Sequence, residues 1–392
     1  MDPIFLVTIC LILSLILAEV FNFFKSSIVI GMILAGVLLT IPQIHVAVIT
    51  EQGLSFIDFL SSLGIIFLLF ITGLQVDYEK LKESRKEEGL IAFFSAVVPF
   101  ALGFIVSWLL GFELITCFVV GAALALTSEG TTIVVLNEVK KLRSKVGTII
   151  LGAGILDDVF EILFLSILVI IVQKGISSEL AAFPFKIVVF VMVVFIIFKL
   201  ILPRLISHAL KNDSKISSLG LVIVMCFFIA SISTFLGFGP IIGAFIAGLI
   251  LQLLIHKHTI KHKIIDEIQN FSFALIIPFF FINIGLHLDL SILQTNLWLV
   301  LIILAVAIAG KIIGALIVRP WSSLTTRQLY LVGWGMNSRG AVELVIAEVA
   351  RTAGLISIEI YSVLVLMAVV TTFIFPFVLK LYIRKYPGIM DA

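Results

Sequence analysis

The chain has 392 residues, 61% of them hydrophobic and only 13% charged, with a mean hydropathy of +1.27. That balance excludes a soluble enzyme and a nucleic-acid-binding module, and sets the fold class as an all-α polytopic membrane protein. The formal net charge of +2 is too small to define a partner, so the placement of the charges carries the information.

Apolar runs of spanning length predict thirteen transmembrane helices, at residues 3–24, 27–44, 54–76, 89–110, 114–137, 145–172, 184–206, 216–236, 239–255, 266–288, 297–318, 327–350 and 357–380. The opening MDPIFLVTIC has no Lys or Arg before its apolar run and no clear cleavage site, so the first run is expected to stay as a helix. Cys10, Cys117 and Cys226 all lie inside apolar runs and read as small core residues. The connections are short, and no nucleotide-binding or regulatory tail is expected after the last span.

Basic residues set the orientation. Of the 26 Lys and Arg residues, Lys174, Lys186 and Arg351 fall in even-numbered loops and Lys311 and Arg339 fall inside spans. The remaining 21 lie in odd-numbered loops and at the C-terminus, which predicts an outside N-terminus and a cytoplasmic C-terminus in a prokaryotic inner membrane. The basic run His256–Lys263 reads as a cytoplasmic loop, with metal binding or pH sensing as the sharper alternative.

The chain also repeats itself at an offset of 212 residues. Gly31 and Gly36 match Gly243 and Gly248, Gly73-Leu-Gln-Val-Asp77 matches Gly285-Leu-His-Leu-Asp289, and Gly121 matches Gly333. The shift is seven spans, an odd number, so the two copies enter the membrane in opposite directions, as inverted-repeat transporters do. Asp77 and Asp289 are read as helix caps or interface markers at span ends.

Two matched spans carry polar interruptions, Leu126-Thr-Ser-Glu-Gly130 and Gly333-Trp-Gly-Met-Asn-Ser-Arg-Gly340. Glycine and competing side-chain hydrogen bonds weaken a helix interior, so both spans are predicted to be discontinuous and to cross near mid-bilayer. Thr127 and Ser128 supply hard oxygens there, and Glu129 and Arg339 are the expected charge-compensating pair.

The sixth span holds Asp157 and Asp158 side by side, with Glu161 a turn later. Carboxylates at that depth mark an ion or proton site by default. Neighbours on a helix point about 100° apart, so one aspartate can face the deep Lys311 while the other meets an ion cavity. Such a carboxylate can exchange its proton for a small cation. Glu161 and Asp58 are candidate cavity-lining acids; Glu19, Glu343 and Glu348 rank lower.

The GILDDV pair, the TSEGTT interruption, Lys311 and the SRGAVEL interruption together resemble the monovalent cation:proton antiporter superfamily, in the bacterial sodium(potassium)/proton branch with paired aspartates. The resemblance covers nearly the whole chain. It implies no cofactor, and a homodimer in the bilayer. It implies a dimer domain built from residues 1–76 and 216–288, a core transport domain from 89–172 and 297–384, and a linker helix at 184–206. It implies cation and proton competition at Asp158, with Asp157 pairing Lys311 in electrogenic members. Three departures stand out: Glu129 and Glu161 replace residues that the family often has small or apolar, and no nucleotide-binding domain like that of the potassium efflux members is expected.

The expected function is therefore antiport of Na⁺, or alternatively Li⁺ or K⁺, against protons. An intramembrane aspartyl protease would need aspartates on two different helices. A sodium-coupled organic anion symporter of related architecture would use Lys311 and Arg339 to hold a carboxylate.

Overall fold

A computed structural model describes residues 3–23, 27–76, 86–174, 188–196, 199, 218–254, 258–386 and 388–391. Among the described residues all regular structure is helical, with no strands. The N-terminal half contains α1 (Pro3–Phe23), α2 (Ile28–Leu39), α3 (Pro42–Val48), α4 (Glu51–Gln75), α5 (Lys86–Leu109), α6 (Leu114–Ala125), α7 (Glu129–Glu138) and α8 (Lys145–Lys174). After a short helical stretch at 188–196 come α9 (Ser218–Phe235), α10 (Gly239–Leu254), α11 (His258–Phe271) and α12 (Ile277–Leu286). The chain closes with α13 (Ile292–Thr295), α14 (Leu297–Ile317), α15 (Thr326–Gly335), α16 (Ala341–Thr352) and α17 (Ile358–Lys385).

Six of these segments are long and apolar enough to cross a membrane, and four shorter apolar helices accompany them. Local chemistry sets several of the ends. The Thr50 hydroxyl accepts from Gly53 N at the start of α4, and Thr325 and Gln328 form a capping box that opens α15. Pro42 lacks an amide hydrogen and starts α3, so the run expected at 27–44 is two helices with a turn at Thr40 and Ile41. Between α11 and α12 the chain widens into a π turn at Ser272–Ile276, directly before Pro278.

By compactness the chain falls into two units. The first comprises Met1–Leu11, Val46–Tyr78 and Val169–Asn283, and the second comprises Ile12–His45, Glu79–Leu168 and Ile284–Ala392. In the first unit α4 packs closely on α10. A Cβ added to Gly73 would lie 2.2 Å from the Phe245 carbonyl oxygen, and one added to Gly248 would lie 2.2 Å from that of Phe70. Phe67 meets Phe227 and Phe271 edge-on in the same unit, and Asn283 Nδ2 donates to Ser61 Oγ over 3.2 Å. Backbones that approach this closely are joined by dispersion contacts between small residues, the means by which helices associate in lipid.

In the second unit Gly285 lies on α2, where an added Cβ would sit 2.1 Å from the Ile33 carbonyl oxygen and 2.7 Å from Val37 N. Gly73 meets Phe245 and Leu249, and Gly285 meets Ile33 and Val37. The six positions interchange under a shift of 212. A second set follows the same rule: Gly121 packs on Phe100 and Gly333 packs on Ile312. Pro99, inside α5, then corresponds to Lys311 in α14. Gly310 and Gly314 seat α14 on α5 at Pro99 and Phe94, which draws Lys311 into the interior.

The last residues are built into this second unit. Gly388 turns the chain at φ +87. Ile389 and Met390 enter a core with Val146, Ile150, Leu329 and Leu379. Gln328 Nε2 donates to Ile389 O over 3.0 Å and Val146 N donates to Met390 O over 3.1 Å. Lys141 pairs with Asp391. The tail thereby satisfies a first-turn amide of α8, one of the donors a helix start leaves open.

Several sequence expectations lie outside the described residues: Asp77, the loops around Lys25 and Lys80–Arg85, His256 and Lys257, and most of the 184–206 linker. Residues 258–263 of the basic run are helical, the beginning of α11. Asp289 closes a turn before α13, accepting from Ser291 N over 2.9 Å. The Ser291 hydrogen bonds hold its carboxyl below the ordinary aspartate value.

Candidate functional site

The site is assembled where two helices stop. α6 ends at Ala125, and Leu126 and Ser128 are extended, at φ −78, ψ 156 and φ −100, ψ 113. α15 ends at Gly335, and α16 begins after an extended Gly340. The two interruptions touch. Ser128 N donates to Ser338 O over 2.9 Å, and Ser338 Oγ donates to Ser128 O over 2.6 Å. An added Cβ on Gly340 would come within 2.8 Å of Ser128 Cβ, so only glycine admits Ser128 there.

A helix that stops inside a protein leaves carbonyls without donors and the negative end of its dipole uncompensated. Two buried cations occupy that end of α6. Arg339 Nη1 donates to Leu124 O at 2.8 Å, Leu126 O at 2.6 Å and Ala123 O at 3.3 Å. Lys311 Nζ donates to Ala125 O and, over 2.5 Å, to Thr127 Oγ1. The end of α15 is met by neutral donors instead: Asn337 Nδ2 reaches Gly333 O at 2.9 Å and Thr132 Oγ1 reaches Gly335 O at 3.0 Å.

Each cation also has an acid nearby. Lys311 Nζ is 3.6 Å from Asp157 Oδ2, both side chains sealed at 0% and 1% exposure. Arg339 Nε is 3.7 Å from Glu343 Oε2, equally sealed. Asp158, next to Asp157 on α8, is only half-buried, so the adjacent acids occupy different surroundings. Glu161, a turn further, is buried and acts on Lys311 electrostatically. Asp58 is exposed on α4 in the other unit, and the side chain of Glu129 lies outside the described residues.

The sequence pointed to Glu129 as the acid for Arg339, a side chain outside the described residues; among the described residues the acid beside Arg339 is Glu343. The signal was available, since the two are four residues apart at the start of α16. Thr132 and Ser338 were also passed over. Among the described residues no group of three His, Cys, Asp or Glu side chains could hold a metal ion. What the arrangement offers is one half-buried carboxylate, hydroxyl oxygens at a helix break, and fixed cations that are already paired. Those are ligands for a small hard cation or a proton.

The family model for the transmembrane part of the sodium/hydrogen exchanger matches residues 7–385. The chain belongs to the transmembrane sodium/hydrogen exchanger family. This is a family of transporters and not of enzymes, so the intramembrane protease reading falls, and the resemblance drawn from GILDDV and its companion motifs holds. Among relatives of this exchanger chain, the Na⁺/H⁺ antiporter of Enterococcus hirae is 30% identical over 392 residues, covering 97% of this chain and 98% of the relative. The Na⁺/H⁺-K⁺ antiporter GerN of Bacillus cereus is 27% identical, over 82% of each chain. The sodium proton antiporter MjNhaP1 of Methanocaldococcus jannaschii shares the fold, with a TM-score of 0.72 over 97% of this chain and 96% of that one at 17% identity. These relatives lend no support to the organic anion symporter reading.

Proposed function

We propose that this exchanger-family chain is a secondary antiporter that trades a monovalent cation, Na⁺ first and Li⁺ or K⁺ as alternatives, for protons. The observation that carries the reading is the unequal aspartate pair. Asp157 is sealed beside Lys311, while Asp158 next to it is half-buried and, among the described residues, has no such cation within ion-pair distance. A carboxylate in that position must be neutralised, and a proton or an alkali cation can each do so, but not both at once. Competition for one acid is the core of exchange. Thr127 and Ser128, at the break in α6, are the neighbouring oxygens assigned to the cation.

The cycle is alternating access. Residues 89–172 and 297–384 form a core domain that carries Asp158 past a dimer domain of residues 1–76 and 216–288, with 184–206 as the linker helix, in a homodimer. Thirteen spans, an inverted repeat, two crossed discontinuous helices, an outside N-terminus and a cytoplasmic C-terminus complete the arrangement. The interchange of glycine contacts under the 212-residue shift and the meeting of the two breaks support it. Electrogenic exchange needs a second proton besides the one on Asp158, and the Asp157–Lys311 pair supplies it when the cation binds, so that two protons move against one cation.

The test is cation-driven proton movement in everted vesicles with Na⁺, Li⁺ or K⁺. The unmodified protein is expected to dissipate a proton gradient on cation addition, with a cation KM that rises as the pH falls, and Asp158→Asn is expected to abolish the response. Full activity in Asp158→Asn would sink the assignment. A rate unaffected by clamping the membrane potential would remove the electrogenic part alone.

A further inference from the structure

The hydroxyls of Thr132 and Ser338 sit between the two interruptions with more partners than protons. Thr132 Oγ1 and Ser338 Oγ are 2.7 Å apart. Ser338 Oγ is also 2.6 Å from Ser128 O, and Thr132 Oγ1 is 3.0 Å from Gly335 O and 3.4 Å from Ser128 O. Each hydroxyl has a single hydrogen to donate, so two donations must serve four contacts. Both side chains are buried, at 2% and 0% exposure, so water is not a ready substitute.

Three arrangements use both hydrogens and keep the 2.7 Å contact bonded. In the first, Thr132 donates to Ser338 and Ser338 donates to Ser128 O. In the other two, Ser338 donates to Thr132, and Thr132 donates either to Gly335 O or, over the longer 3.4 Å contact, to Ser128 O. The first fastens the Ser128 carbonyl to the opposite interruption, and the other two release it from that interruption. Ser128 N remains bonded to Ser338 O in either case, and Gly340 continues to seat the Ser128 side chain.

We infer that Ser338 and Thr132 are positioning residues for the cation site, with the Ser338 hydroxyl acting as a latch on Ser128 and Thr132 competing for that latch. This rests on the proposed cation site at Asp158, Thr127 and Ser128, and goes beyond it by assigning control of Ser128 to Ser338 on the opposite interruption and Thr132 one turn along its own span. Removing the Ser338 hydroxyl leaves the Ser128 carbonyl only the long contact with Thr132 on its own span, while Ser128 N stays bonded to Ser338 O. Removing the Thr132 hydroxyl leaves the Ser338 proton one carbonyl to serve, so the latch stays closed.

The two substitutions therefore act in opposite directions on cation affinity, which a merely structural role would not produce. In proteoliposomes, Ser338→Ala is expected to raise the cation KM about threefold or more with little change in kcat, the scale of one hydrogen bond. Thr132→Val is expected to leave KM at or below the unmodified value and to slow turnover, and Thr132→Ser is expected to restore it. Equal KM shifts in Ser338→Ala and Thr132→Val, or KM values within twofold of unmodified for Ser338→Ala, would overturn the inference. Should Ser338→Ala not be recovered folded, a raised KM in Thr132→Val that Thr132→Ser does not share overturns it equally, and an unraised KM supports it. Failure of the unmodified protein to move protons would instead count against the antiport reading itself.

Discussion

Lys311 lies 3.6 Å from Asp157 but directs its hydrogen bonds elsewhere, to the Ala125 carbonyl and the Thr127 hydroxyl. The lysine therefore does two tasks, balancing an acid on α8 and closing the end of α6. Lys311→Met should strand Asp157 without its cation and cost on the order of 3–5 kcal/mol. Adding Asp157→Asn should recover part of that loss, because the uncompensated charge goes with it. Thermal unfolding of the purified single and double variants in detergent checks the order. A double variant less stable than Lys311→Met alone would contradict the pairing.

Arg339 is held mainly by backbone. Its Nη1 meets three carbonyls at the end of α6, while Glu343 stands off at 3.7 Å. Arg339→Lys should place a shorter, more strongly hydrated ammonium that does not reproduce the Nη1 contacts with those carbonyls, and destabilise the protein by roughly 2 kcal/mol. Glu343→Gln should cost less, since the α6 carbonyls still face the guanidinium. Measured unfolding temperatures in the reverse order would show that the ion pair, and not the helix end, fixes this arginine.

The seams at Gly73 and Gly285 admit no Cβ, because the facing atoms are main-chain carbonyl oxygens at 2.2 and 2.1 Å. Gly73→Ala and Gly285→Ala should each force helices apart and lose about 1–3 kcal/mol. Gly89→Ala is the control. The nearest atom to its added Cβ is 3.9 Å away, and removing glycine from α5 should be neutral or mildly stabilising. Folded yield from fluorescence-detected size-exclusion chromatography after a heat step separates the two classes.

The C-terminal segment is packed as core. Met390 is 1% exposed among Val146, Ile150 and Leu329. Met390→Asp should cost about 2–5 kcal/mol, comparable with truncating a buried methionine. Asp391→Asn, which touches only a surface ion pair with Lys141, should cost less than about 1 kcal/mol. Unfolding midpoints of the two variants in detergent provide the comparison.

Membrane class and helical content were legible because hydropathy reports directly on the solvent a segment prefers. The interruptions at Thr127 and Ser338 were legible because glycine and hydroxyl residues in mid-span have few other reasons to be there. The acceptors of Arg339 were not legible, since a main-chain carbonyl carries no signature in the residue that owns it. The docking of Ile389 and Met390 was hidden for a related reason: two apolar residues after Gly388 are too short a run to show periodicity. Glu343 was discounted by its position in a span, although its spacing from Arg339 was in plain view. The tight turn at Thr40 and Ile41 could have been read from Pro42 alone.

The crosswise glycine contacts also restrict how this chain can change over generations. Gly73 is tolerated or excluded by the helix bearing Phe245, and Gly285 by the helix bearing Ile33, so each half is moulded against its counterpart. The facing atoms belong to the main chain, which every residue carries, so no substitution at 245 or 33 makes room for a bulkier residue at 73 or 285. Both glycines are therefore fixed points around which the rest of the two halves can diverge.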